Sequence, residues 1–239
     1  FPEEARYFQS KGISVKWVGH PLLDRIQTAP ERELARQSLE IKSEQIAIAL
    51  LPASRQQELK YLLPNIFAAA QQIQEKLPQV IFLIPVSLDK YRSEIEAAVQ
   101  KYQLRAKILG SQTLEAIAAS DLAITKSGTV NLEIALLKVP QVVIYKFNPL
   151  TMWIARQVFN FAVPFMSAPN LIAMKSIVPE LLQEQATPEN IVNESLELLL
   201  NPTRREQILT GYQEMRSLIG EVGVCDRAAK EIFKFILPE

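Results

Sequence analysis

The stretch Ile46-Ala47-Ile48-Ala49-Leu50-Leu51 is a continuous apolar run that ends at Pro52. From Gln56 to Lys76, apolar residues then recur at helical spacing. A short apolar run followed by an amphipathic helix is typical of a parallel sheet, because two parallel strands need a crossover between them. This first unit therefore predicts a strand that is buried on both faces and a helix that covers one of them.

The same alternation continues along the chain. Further apolar runs lie at Val80–Val86, Ala106–Leu109, Leu122–Thr125 and Gln141–Tyr145. The segments between them predict helices at Tyr91–Tyr102, Leu114–Ala119 and Thr129–Leu137. Five such strands predict an α/β fold, a Rossmann-like parallel sheet with helices on both faces.

Beyond the predicted sheet, the pattern indicates helices alone. Thr187-Pro188-Glu189 combines a capping threonine, a proline at the first helical position and an acid in the first turn. The predicted helices are Ile191–Leu200, Thr203–Ile219 and Asp226–Ile236. The chain thus ends in a helical carboxyl-terminal region.

The composition narrows the function classes. The chain has 239 residues, with 26 basic and 26 acidic side chains and a formal net charge of zero, whereas nucleic-acid binders usually carry a basic excess. One histidine and one cysteine exclude paired-histidine and multi-cysteine metal motifs and an internal disulfide. We expect no metal, no cofactor and no nucleic-acid partner. Because no Gly-x-Gly-x-x-Gly or Walker loop occurs, phosphate would bind at a helix N-terminus.

The turn after the first strand is the first candidate site. Pro52-Ala53-Ser54-Arg55 brings a hydroxyl and a guanidinium to the carboxyl end of a strand and the start of a helix. Arginine binds phosphate through two parallel hydrogen bonds, so Ser54 and Arg55 are candidate phosphate ligands. The alternative is that Ser54 only caps the helix and Arg55 pairs with Glu58 or Glu75.

A second candidate turn is Lys126-Ser127-Gly128-Thr129. Gly128 allows a close approach to the backbone, and the hydroxyls of Ser127 and Thr129 can donate to phosphate oxygens. Glu133 lies one helical turn beyond Thr129, where its carboxylate can accept two ribose hydroxyls. The alternative is a surface glutamate paired with Lys126 or Lys138.

The third candidate is the polar break Ser167–Leu171. Asn170 can bind a base or a sugar through its amide, or it can cap the following turn. His20 follows a strand-like run at Val15–Val18, and we interpret it as a structural hydrogen-bonding residue rather than a catalyst. Cys225 opens the last helix and is expected to be inert and packed.

The segment from Arg156 to Lys175 carries no charge between its ends. Two prolines interrupt it, which excludes one membrane-spanning helix. Two interpretations stay open. The segment is either a loop buried against the core or a surface that contacts lipid, with Trp153 and Phe159 at the interface.

Several separated motifs occur in a fixed order. They are Val18–Asp24, Leu50–Arg55 with Glu58, Ser127–Thr129 with Leu132-Glu133, Tyr145-Lys146, Pro149–Thr151 with Trp153–Ala155, Pro169–Leu171 and Pro179–Glu184. Together they resemble the carboxyl-terminal part of the lipid-A-disaccharide synthase family, glycosyltransferases with the two-domain GT-B fold. The resemblance runs from residue 1 almost to the end of the chain.

The resemblance implies that residues 1–19 are the tail of an amino-terminal acceptor half and that residues 20–239 form the UDP-sugar donor-binding half. It implies transfer of 2,3-diacylglucosamine from UDP to a monosaccharide lipid acceptor, with inversion and release of UDP. The diphosphate would lie at Ser54, Arg55 and the turn Ser127–Thr129. Glu133 would hold the ribose, and Asn170 would line the cleft.

The resemblance assigns no catalytic residue to this chain. Because the chain begins at Phe1 and lacks the family's amino-terminal motif, we expect a missing amino-terminal domain and no transfer by this chain alone. It also implies a cytoplasmic location, with peripheral contact at the inner membrane.

Four departures from the family pattern leave alternatives open. Ala53 replaces a glycine before Ser54-Arg55, and Lys126 replaces a small residue before Ser127-Gly128-Thr129. Ala168 replaces a leucine, and Met174-Lys175-Ser176 replaces a Gly-Arg-Glu run in the predicted cleft loop. A related enzyme with another glycolipid donor, a UDP-sugar epimerase on the same architecture, and a non-catalytic nucleotide-binding domain are the alternatives.

Overall fold

The computed structural model of the chain describes residues 2–52, 56–86, 88–146 and 164–236. Within these ranges, six parallel strands form one sheet in the order β3-β2-β1-β4-β5-β6. The strands are β1 (Ile46–Leu51), β2 (Val80–Pro85), β3 (Ala106–Leu109), β4 (Leu122–Lys126), β5 (Gln141–Tyr145) and β6 (Glu180–Leu182). The predicted Rossmann-like sheet is confirmed, with one strand more than the sequence indicated.

The described helices alternate with these strands and then continue alone. They are α1 (Pro2–Ser10), α2 (Leu22–Arg25), α3 (Arg32–Ser38), α4 (Gln56–Lys76), α5 (Arg92–Lys101), α6 (Thr113–Ala118), α7 (Val130–Leu136), α8 (Ala168–Ala173), α9 (Pro188–Leu200), α10 (Pro202–Leu218) and α11 (Val224–Ile236). Short 3-10 turns follow α2 and β6 and precede α5. The helical carboxyl-terminal region is confirmed.

Alternate residues of β1 show why the sheet is covered on both faces. Ile48 and Leu50 pack in the same cluster as the buried side chains of α4, whereas Ala47 and Ala49 face clusters built from α3, α6 and α7. All four side chains are fully buried. Because neither face of the strand meets water, β1 has no polar alternation, which made the apolar run a reliable signal.

The strand-like run Val15–Val18 was a wrong prediction, because no strand forms there. Its backbone contacts side chains instead: the carbonyl of Val15 accepts from Gln9 Nε2 at 2.9 Å and that of Val18 accepts from Arg227 Nε at 3.1 Å. Lys16 pairs with Glu231 at 2.6 Å. This segment therefore packs along α11.

His20 holds the entry to α2, as interpreted from the sequence. Its backbone N–H donates to the carbonyl of Ile219 at 2.9 Å, and its Nδ1 accepts from the N–H of Leu22 at 3.2 Å. Burial lowers the pKa of His20 below its ordinary value. These contacts give the histidine a structural role.

Asp24 caps the last helix from a distant part of the chain. Its carboxylate accepts from the backbone N–H groups of Gly223 at 2.6 Å, Val224 at 3.2 Å and Cys225 at 2.8 Å. These bonds explain why α11 begins at Val224, ahead of the predicted start. Cys225 is exposed rather than packed, so that expectation was wrong.

Trp153 and Phe159 lie outside the described residues, so both interpretations of that segment stay predictions. Among the helices that the structure describes, none combines the length and the apolar character needed to cross a bilayer.

We expect Asp24→Asn to weaken folding in a pH-dependent way. The backbone bonds, led by that from Cys225, lower the pKa of Asp24 from 3.8 to about 2, so its stabilisation is complete above pH 3.8 and is lost as the pH falls towards 2. The melting temperature of the variant should be about 2–4 °C lower at neutral pH. Chemical denaturation between pH 2.5 and 7 measures how the difference shrinks in acid. Asp89→Asn, which changes a carboxylate that is 94% exposed, is the control, and a difference that does not depend on pH would contradict the assignment.

Candidate functional site

The sheet places the strands that precede two of the predicted turns side by side. β1 and β4 are adjacent and parallel, with Leu51 opposite Thr125. From this pair the strand order runs outward to β3 on one side and to β6 on the other. In open α/β sheets, ligands bind in the crevice at such a switch point, beyond the carboxyl ends of the strands. This crevice is the candidate site.

The turn after β1 carries Ser54 and Arg55, which lie outside the described residues. β1 ends at Leu51 and α4 begins at Gln56. The contacts of these two side chains stay predictions.

The turn after β4 is held by hydrogen bonds on both sides. The backbone N–H of Ser127 donates to the carbonyl of Ile144 at 3.2 Å, and its hydroxyl donates to the carbonyl of Met166 at 2.6 Å. The Ser127 hydroxyl proton is thus already committed, whereas the Thr129 side chain is exposed at the start of α7. Of the two predicted hydroxyl donors, Thr129 is the accessible one.

A buried chain of neutral polar groups supports the same turn. The N–H of Gly128 donates to Asn131 Oδ1 at 2.7 Å, and Asn131 Nδ2 donates to Gln141 Oε1 at 3.1 Å. Gln141 Nε2 donates to the hydroxyl oxygen of Tyr212 at 3.1 Å, and that hydroxyl donates to the carbonyl of Val139 at 3.1 Å. Burial raises the pKa of Tyr212 far above its ordinary value. Helix α10 therefore fixes the turn through uncharged groups.

Glu133 is buried, not a surface residue. It is 5% exposed, and its Oε1 lies 3.2 Å from Nη1 of Arg25. The alternative pairing with Lys126 or Lys138 is therefore wrong. Burial raises the pKa of Glu133, and the Arg25 guanidinium partly opposes this. Nothing in the sequence marked Arg25 as the partner, because the pair joins two distant segments.

Asn170 is also buried, and its amide is fully engaged within the protein. Its Nδ2 donates to the carbonyl of Val178 at 2.9 Å and to Glu180 Oε1 at 2.8 Å. Its Oδ1 accepts from the N–H groups of Ile177 at 2.8 Å and Val178 at 2.9 Å. This arrangement matches the capping interpretation. A direct contact with a nucleotide stays a prediction, and it would have to replace one of these bonds.

Glu180 organises the third predicted turn, and sequence reasoning gave it no role. Its carboxylate accepts from the N–H groups of Met166 and Ser167, both at 2.9 Å, and from the Ser167 hydroxyl at 2.6 Å. Since Met166 also accepts from Ser127, the second and third turns meet directly. The signal was the motif Pro179–Glu184, in which Glu180 is the first residue of an unpredicted strand.

Two residues that depart from the family pattern, Lys126 and Lys175, lie in different parts of the fold. Lys126 is half-buried at the end of β4, with Nζ 3.5 Å from the carbonyl of Ser127. It thus lies beside the predicted phosphate turn. Lys175 instead pairs with Glu214 of α10 at 2.8 Å, so this residue of the Met174–Ser176 run is held against α10.

The comparisons with known proteins identify the family. The model of the lipid-A-disaccharide synthetase family matches residues 1–233. The chain belongs to this family. A lipid-A-disaccharide synthase from Gloeothece citriformis is 63% identical over 236 residues, covering 99% of this chain and 62% of that protein. A lipid-A-disaccharide synthase from Synechocystis is 56% identical over 237 residues, which cover 98% of this chain and 60% of that protein. The chain therefore spans about three-fifths of the length of these relatives.

Solved structures show the same fold at low identity. A UDP-GlcNAc 2-epimerase from Neisseria meningitidis, bound to UDP-GlcNAc, superposes with a TM-score of 0.65 at 15% identity. The match covers 96% of this chain and 58% of that one. The likeness confirms the Rossmann-like half of a GT-B fold, and at this identity it carries no function.

We expect Gln141→Leu to destabilise the chain by about 1–3 kcal/mol, because it removes the acceptor of one Asn131 Nδ2 bond and the donor to the Tyr212 hydroxyl oxygen. Urea denaturation measures the loss. Gln213→Leu, on the exposed side of α10, is the control and should change stability by about 0.5 kcal/mol or less. Equal effects of the two variants would show that the buried chain contributes little.

Proposed function

We propose that this chain is the donor-nucleotide half of a glycosyltransferase that moves 2,3-diacylglucosamine from UDP to a monosaccharide lipid acceptor. The family match supports the reaction class. The observation that carries the site is the buried Glu133 carboxylate beside the Ser127–Thr129 turn, at the switch point of the sheet.

The environment of Glu133 suits a ribose. Burying a carboxylate is costly unless its oxygens are hydrogen-bonded. In the described part of the chain, the ion pair with Arg25 is the polar contact of this carboxylate, which leaves Oε2 available. Two vicinal hydroxyls of a ribose would donate to this carboxylate and complete its hydrogen bonding.

The diphosphate would lie between the turns that follow β1 and β4. Arg55 would donate two hydrogen bonds to it, and Thr129 and Lys126 would approach from the other side. During transfer, the acceptor oxygen attacks the anomeric carbon and forms the new glycosidic bond with inversion. The bond from that carbon to the phosphate oxygen breaks, and UDP leaves with the electron pair. Cationic and N–H groups at the leaving phosphate lower the barrier.

The proton of the acceptor hydroxyl must pass to a base, and we assign no residue of this chain to that role. The curated relatives are longer than this chain, and we propose that an acceptor half supplies the base and the lipid site. Both substrates carry acyl chains, which favours action at the cytoplasmic face of the inner membrane. On this proposal, the 239-residue chain binds UDP without transferring sugar.

An epimerase and a non-catalytic nucleotide-binding domain share the proposed nucleotide site. The family match favours the glycosyltransferase over both, since the likeness to an epimerase is one of fold.

We expect Arg55→Ala to weaken the binding of UDP much more than that of uridine. The proposed contact is to phosphate, and a charge-assisted hydrogen bond contributes about 1.5–3 kcal/mol. Isothermal titration calorimetry with both ligands tests this. Arg92→Ala, in an arginine paired with Glu96 on α5, is the control, and equal losses for UDP and uridine would contradict the phosphate contact.

We expect Glu133→Gln to weaken the binding of both UDP and uridine by about 1.5–3 kcal/mol, because the charged acceptor of the ribose hydroxyls is lost. The binding of the uracil base should stay unchanged. The melting temperature should change little, because the variant removes a costly buried charge and leaves Arg25 in solvent. Glu115→Gln on α6 is the control. Unchanged uridine affinity would remove Glu133 from the site.

A further inference from the structure

The ion pair between Arg25 and Glu133 is asymmetric. The Arg25 side chain is 60% exposed, whereas that of Glu133 is 7% exposed. The cation therefore keeps most of its hydration, while the carboxylate receives a counter-charge inside the protein. This arrangement avoids the cost of burying both partners, which usually cancels the gain of a buried ion pair.

The backbone that carries Arg25 is fixed on both sides. Leu22 and Leu23 are buried in the main core, and Asp24 is bound to the start of α11. After Arg25, the hydroxyl of Thr28 donates to its carbonyl at 2.8 Å. The guanidinium thus projects from a fixed point, and its reach to Glu133 needs no rearrangement of α2.

Several other charged groups on the elements packed against α7 have partners of their own. Arg205 donates to the carbonyl of Asp121, Arg216 to that of Gly220, and Lys126 to that of Ser127, while Glu214 pairs with Lys175 and Asp24 with α11. On α6, Glu115 is half-buried and is an anion. In the described part of the chain, Arg25 is the cation in contact with Glu133.

We propose that Arg25 is a positioning residue of the nucleotide site: it holds Oε1 of Glu133 so that the carboxylate presents its remaining acceptor positions to a ribose. This inference rests on the proposed function, in which Glu133 accepts the ribose hydroxyls. Arg25 itself touches neither sugar nor phosphate in this arrangement.

The charge of Arg25 also keeps the carboxylate ionised. Burial raises the pKa of Glu133, and the Arg25 guanidinium lowers it. Without the cation, the pKa rises further, and more of the protein carries a carboxylic acid that accepts fewer hydrogen bonds. The effect on binding therefore grows as the pH falls.

The first test measures uridine binding by calorimetry between pH 5.5 and 8.5, with Arg25→Gln, Arg25→Lys and the control Arg92→Gln. Uridine is the probe because it lacks the titrating phosphates of UDP. A nearby opposite charge changes the ionisation constant of a carboxylate by about tenfold or more, and because the Arg25 side chain is 60% exposed, water screens its effect towards the lower end of that range. We expect Arg25→Gln to bind uridine about tenfold more weakly at the acidic end, with a smaller loss above pH 8. Arg25→Lys should bind uridine nearly as tightly as the unaltered chain.

The second test separates positioning from direct contact. Arg25→Gln should weaken the binding of UDP and of uridine by the same factor at pH 7. When it is combined with Glu133→Gln, it should cause no further loss of affinity. A loss confined to UDP would make Arg25 a phosphate ligand and overturn the proposal. The proposal would also be overturned if Arg25→Gln caused the same loss of affinity in the Glu133→Gln variant as in the unaltered chain.

The third test needs no nucleotide. An NMR titration of the Glu133 carboxyl carbon in the 239-residue chain should show a higher pKa in Arg25→Gln than in the unaltered chain or Arg25→Lys. An unchanged titration would overturn the role of Arg25 whether or not uridine binds. If the titration shifts as expected but no uridine binds to the unaltered chain, the proposed ribose role of Glu133 fails instead.

Discussion

The parallel pairing of β1 with β4 is the constraint on which the rest of the arrangement depends. Strands that lie far apart in sequence become neighbours, with Leu51 opposite Thr125. The carboxyl ends of these two strands then lie at the same edge of the sheet, where ligands bind in open α/β folds. Gly128, Thr129 and Glu133 follow β4, and the turn at residues 52–55 follows β1. The proposed site needs no glycine-rich loop, since the sheet itself sets the spacing of the two strand ends.

The sheet could be predicted because its strands are buried on both faces. Ala47–Leu50 meets no water, so hydrophobicity alone marked the strand. β6 escaped prediction because it has three residues, of which Leu181 alone is buried, and its strand character comes from pairing with β5. Val15–Val18 shows the reverse: it is rich in valine, but no neighbouring strand accepts its backbone. Strand propensity is decided by such partners.

The residues of the candidate site also differ in how well the sequence predicts them. The position of Glu133 one helical turn beyond Thr129 could be predicted, because helical periodicity fixes such local relations. The partners Arg25 and Glu180 could not, since each contact joins segments that only the folded chain brings together. The roles of Asn170 and Ser127 changed for a related reason. Both types of side chain suit a ligand, but the protein itself provides their hydrogen-bonding partners.

The contacts of Asp24 have a consequence for the order of folding. Its three partners lie about two hundred residues further along the chain, so they are synthesised long after Asp24 itself. Closing so long a loop is slow, because its entropy is lost before the contact forms. The β1–β4 crevice can therefore assemble early, while α2 is secured late. Arg25, the next residue, then reaches its final position after the sheet has formed.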